Sequence, residues 1–156
     1  MKKIVIPVLL AMVLLKAETV AAQDKKTGNP SYKTAVGIKF FPFGISVKSM
    51  TTKKTAFEFL GYFNEGFRVT VLYEYHGILN QQGNLKWYIG GGGHVGFADN
   101  AHGSDTKLGV DGIVGLDYKF LHLPLNLSLD WQPSFGLGDN SSFTGNWGGI
   151  GARFCF

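Results

Sequence analysis

The stretch LPLNLSLDWQ, residues 123–132, decides how the rest of the chain is read. Leucines stand at 123, 125, 127 and 129, and Trp131 continues the row. Pro124, Asn126, Ser128, Asp130 and Gln132 fill the places between. A period of two belongs to a β-strand, whose successive side chains point to opposite faces. One face is apolar; the other is polar and holds a carboxylate. In a soluble sandwich the leucines would face a core and Asp130 would face water. In a membrane barrel the leucines would face lipid and Asp130 would point inward.

Working outward, seven more strand-like runs occupy 33–41, 44–50, 55–62, 67–76, 85–97, 107–120 and 145–156. The cleanest is 67–76, where Phe67, Val69, Val71, Tyr73 and Tyr75 alternate with Arg68, Thr70, Leu72, Glu74 and His76. FPFG, TTKK, NEG and NQQGN supply turn signals between runs. The polar stretches 98–106 and 136–144 are expected as long loops. No run after residue 31 has a convincing helical period. Twenty-two glycines and 14% aromatics favour an all-β chain with close backbone approaches. The expected fold is all-β, an eight-stranded antiparallel up-and-down transmembrane β-barrel. Such a barrel is just wide enough to be filled by its own side chains, so an open diffusion pore is not expected.

The start of the chain reads as an export signal. Lys2 and Lys3 precede an apolar run at 4–15, and Ala21 and Ala22 follow. That run is shorter than the roughly 20 residues a spanning helix needs. The expected organisation is a signal peptide at 1–22, a flexible mature N-terminus at 23–32 and a barrel at 33–156. Without 1–22 the chain keeps 12 Lys+Arg and 10 Asp+Glu, because Lys2, Lys3, Lys16 and Glu18 leave. A net charge of +2 gives no support to nucleic-acid binding. Cys155 is the only cysteine, so no intrachain disulfide can staple the exported protein.

Sorting residues by parity collects Lys39, Lys48, Glu58, Arg68, Glu74, Asp111, Asp117, Asp130 and Arg153 on the polar faces. Four are cationic and five anionic. A set so close to balance can pair inside a closed barrel, whereas one buried unpaired charge is costly. These nine are the expected interior charge network, with Asp130 expected to meet Arg68 or Arg153. Tyr73, Tyr75, Trp87, Tyr118, Trp131, Phe154 and Phe156 stand near strand ends on the apolar face, as aromatic girdles would.

With its export signal, eight alternating runs, GLDYKF at 115–120 and GGIGARFCF at 148–156, the chain resembles the small porin-like outer-membrane β-barrel proteins of Gram-negative bacteria. The resemblance covers about 33–156. It implies an outer-membrane location, lipid as surroundings, and a terminal aromatic, here Phe156, read by the barrel assembly machinery. A structural or surface-interaction role through extracellular loops, with an unknown extracellular ligand, is the expected function. No enzyme activity, cofactor or metal is expected.

Competing chemistry has thinner support. GGGGH at 90–94 lacks the Lys-Ser/Thr of a phosphate loop and no helix follows it. His76, His94, His102 and His122 show no metal-ligand spacing, although His76 and His94 could share the interior with Glu74 and Asp111. Some small outer-membrane barrels modify lipids, and His94 with Ser128, Asp130 or Ser134 would be the hydrolytic set, but no nucleophile motif surrounds either serine. A secreted soluble ligand-binding barrel is the other alternative.

Overall fold

The structure is a computed structural model that describes residues 32–63, 66–100, 103–138 and 142–156; side chains are described at all of these except 98–100 and 103–105. The expected signal peptide at 1–22, and all of the expected N-terminal segment except Tyr32, lie outside the described residues.

Among the described residues ten β segments form one sheet: β1 Thr34–Phe40, β2 Gly44–Met50, β3 Thr55–Tyr62, β4 Phe67–Ile78, β5 Leu85–Asn100, β6 Gly103–Lys119, β7 Leu125–Trp131, β8 Ser134–Leu137, β9 Phe143–Thr144 and β10 Gly148–Cys155. Each pairing is antiparallel, and β1 against β10 closes the sheet on itself. Two pairs of segments are single staves with an interruption. β7 and β8 face β6 in one unbroken register, from Lys119↔Asn126 to Leu108↔Leu137, with Pro133 between them. The Gly112 N–H donates to the Pro133 carbonyl at 2.9 Å and carries the ladder past the proline. β9 and β10 are joined through a bulge. Ser134 faces Thr144 and Trp131 faces Gly148, so three residues, 145–147, oppose two, 132–133. The result is a closed, eight-stranded antiparallel barrel.

Much of the polar stretch 98–106, expected as a loop, instead belongs to β5 and β6. β5 and β6 continue with Ala98↔Asp105, Asp99↔Ser104 and Asn100↔Gly103 paired. Likewise 136–144 contains part of β8 and all of β9. Backbone pairing carries the strands on where the apolar alternation has stopped, and the sequence reading equated polarity with a loop.

Orientation is uniform. On β7, Asn126, Ser128 and Asp130 are buried while Leu127, Leu129 and Trp131 are exposed. Leu129 is 58% exposed and Asp130 only 8%. β3 and β4 repeat this, burying Glu58 and Glu74 beside Leu60, Tyr62 and Leu72 while Phe57, Phe59, Tyr73 and Tyr75 stand outside. The barrel is polar within and apolar without.

The glycine run at 90–93 lies in the middle of β5. A Cβ on Gly92 would stand 1.8 Å from the Val71 carbonyl oxygen, and one on Gly90 would stand 2.4 Å from that of Tyr73. The two strands approach too closely there for any side chain. Gly92→Ala is therefore expected to destabilise the barrel by about 1–3 kcal/mol, the usual range for overpacking. A urea unfolding midpoint equal to that of the parent would contradict it.

Candidate functional site

The barrel interior holds three linked polar clusters. The first gathers round Arg153 on β10, which is fully buried. Its guanidinium donates to Glu58, to Ser46 Oγ at 2.6 Å, to Ser128 Oγ at 2.8 Å and to Asn126 Oδ1 at 3.4 Å. Ser46 in turn donates to Glu58 Oε1 at 2.6 Å. The rigid fork of arginine suits such multiple donation. Lys48 sits beside it, 2.8 Å from Glu74, 3.6 Å from Glu58 and 3.9 Å from Asp117, and 4.3 Å above the Tyr88 ring. His76 Nε2 lies 2.9 Å from Glu74 and its ring stacks on Tyr88. Asn126 donates to Asp117, and the Tyr32 hydroxyl donates to the other oxygen of Asp117 at 3.3 Å.

The second cluster centres on Asp130. Lys39 Nζ lies 2.8 Å from Asp130 Oδ1, and the Tyr88 hydroxyl donates to Oδ2 at 2.8 Å. Gln132 Oε1 accepts from Tyr62 at 2.7 Å and from Lys39 at 3.3 Å. In the third cluster Arg68 donates to Asp111, which also holds His94 Nδ1 at 2.7 Å, and Arg68 Nη2 is 3.0 Å from the same ring nitrogen. Trp147 covers this end. The Arg68 guanidinium lies 3.8 Å from the Trp147 ring centroid, and that ring packs edge-on to Tyr62.

All nine charges grouped by parity thus stand within the barrel, with Arg68 the least enclosed. Their partners differ from the expectation in one respect. Asp130 meets neither Arg68 nor Arg153 but Lys39. The reason lies in the stave between them. Gly151 on β10 is the register partner of Lys39 and has no side chain to block the reach toward β7. Arg153 and Arg68 are spoken for by Glu58 and Asp111. With four cations against five carboxylates, each acid has a cation or a protein donor within reach, as burial requires.

At this point the fold can be compared with known proteins. The chain is similar in structure to the N-terminal β-barrel domain of OprF from Pseudomonas aeruginosa. The TM-score is 0.57 at 20% sequence identity, over 79% of this chain and 94% of that one. No family model and no curated protein matches the chain. The likeness shows the fold.

Of the hydrolytic set considered from the sequence, Ser128 and Asp130 are engaged apart from His94, while Ser134 stands in register with Asp111 and has no hydrogen bond to His94 among the described residues. His94 is bound to Asp111 and Arg68, Ser128 to Arg153, and Asp130 to Lys39 and Tyr88. Sequence reasoning left out Tyr62, Tyr88, Ser46, Gln132 and Trp147. The first four share the buried parity of their strands, so the alternation itself was the signal. Trp147 lies inside the bulge, where parity is lost.

Proposed function

We propose that this is an integral outer-membrane β-barrel protein whose interior is filled by its own side chains. Its role is structural or one of surface interaction, through the end of the barrel opposite the start of β1 and the finish of β10. The observation that carries the reading is the inversion of polarity. Lys39, Lys48, Glu58, Glu74 and Arg153 are wholly buried, while Ile45, Phe59, Ile89, Val114, Leu129 and Ile150 are exposed round the outside. In water such a continuous apolar wall would be an aggregation surface. In hydrocarbon it is the expected outer face, and a closed barrel leaves no unpaired strand edge within the bilayer.

Several features support the same reading. Near the end where β1 begins and β10 finishes, Tyr75 packs against Trp87, Tyr118 against Phe120 and Phe154 against Phe156. Aromatic rings gathered at one level are what an interfacial girdle needs. In this reading residues 1–22 would serve as an export signal. In this reading the partners are outer-membrane lipid, the assembly machinery and an extracellular ligand of unknown identity. The interior network supplies stability; the reading assigns it no catalytic step. Fractionation tests the proposal. The mature protein should stay with membranes through high salt and leave them only in detergent, and unheated samples should migrate faster on a denaturing gel. Release by salt alone would sink it.

A further inference from the structure

The barrel wall is far from even in height. β1 and β2 have 7 residues each and β3 has 8, against 12, 16 and 17 for β4, β5 and β6. Their ends near the chain termini are level, with Thr34↔Ser49, Met50↔Ala56, Ile78↔Lys86 and Lys119↔Asn126 among the last rungs. The difference therefore falls at the opposite end. At about 3.3 Å per residue and a tilt of about 40°, seven residues climb about 18 Å. That is well below the roughly 25 Å apolar band of a membrane barrel.

The turn on the low wall is Phe41-Pro42-Phe43, between β1 and β2. Phe41 is 74% exposed, Phe43 54%, and Phe63 at the end of β3 52%. A turn in water is ordinarily built from Gly, Pro, Asn, Asp and Ser, and here two exposed phenylalanines flank the proline. The turn at the other end of β2 is polar throughout, with exposed Thr51, Thr52, Lys53 and Lys54. Phe41 also holds a φ of 66°, a left-handed conformation that a bulky side chain rarely adopts. Part of its backbone is paired within the protein. Pro42 has no N–H, the Phe41 carbonyl accepts from Gly148 at 3.3 Å, and the Phe43 carbonyl accepts from Phe63 at 3.3 Å. Exposed phenylalanines suit hydrocarbon, and each carbonyl paired within the protein lowers the cost of taking the turn out of water. Behind this low wall, Trp147 covers the Arg68 guanidinium.

We infer that the β1–β2 turn is immersed in the acyl layer of the membrane, so that the barrel presents lipid with a notch over β1–β3 whose partner is acyl chains. This rests on the membrane reading above. The test uses nitroxide labels on single cysteines, Phe43→Cys, Phe59→Cys and Thr52→Cys, each in a Cys155→Ser background. The protein is folded in phosphatidylcholine vesicles, and collisions with oxygen and with a water-soluble nickel chelate are compared. Labels at 43 and 59 should both favour oxygen by several-fold over the label at 52. A label at 43 that behaves like the one at 52, while 59 stays with oxygen, would overturn the inference and leave the membrane reading standing. If 59 also favours the chelate, both fall.

Discussion

Replacing Leu129 by arginine is expected to lower the unfolding free energy of the barrel in a bilayer by about 2–4 kcal/mol, the penalty for a cation near the membrane midplane. Leu129 sits between Leu127 and Trp131 on the outer face of β7 and is 58% exposed. In a soluble protein the same change at so exposed a place would stay within about 0.5 kcal/mol. The two readings of the fold thus differ by several-fold at one residue. Urea titration in phosphatidylcholine vesicles decides between them, and an unchanged midpoint would contradict the lipid-facing placement.

The largest interior effect should come from Arg153→Leu. Its guanidinium ties β10 to Ser46 on β2, Glu58 on β3, and Asn126 and Ser128 on β7. Removal leaves Glu58 buried with Lys48 at 3.6 Å as its remaining cation. Breaking one partner out of a buried pair costs about 3–5 kcal/mol. Removing Glu58 as well should recover part of that loss, because the orphaned carboxylate leaves with it. The double variant Glu58→Leu/Arg153→Leu should therefore be less destabilised than the two single losses added together. A single-variant loss under about 1 kcal/mol would mean that Arg153 is not buried against Glu58 as described.

The same logic revises the expectation for Asp130. Asp130→Leu strands Lys39, since Lys39 is the cation that Asp130 meets. Parity alone could place Asp130 inside, because a two-residue period assigns every side chain of LPLNLSLDWQ to a face once one of them is assigned. Parity cannot name a partner. That depends on the stagger between staves and on whether the stave between carries a side chain, and Gly151 has none. The ends of the strands were also hard to read. At Ala98–Asp105 the backbone ladder continues without an apolar face to announce it. At Pro133 a residue that ordinarily stops a central strand is absorbed within an unbroken register. At 145–147 one extra residue switches the parity, so Trp147 falls beneath Arg68 and Tyr62 with nothing in the alternation to signal it.

In the proposed orientation the outer wall meets lipid and the polar face meets itself. Tryptophan fluorescence in vesicles containing brominated phosphatidylcholine tests this most directly. A variant retaining Trp131 alone, on the outer wall, should lose most of its emission to the bromines. A variant retaining Trp147 alone, packed against Tyr62 and Arg68, should keep most of its emission. Equal quenching of the two, or no quenching of Trp131, would contradict the account.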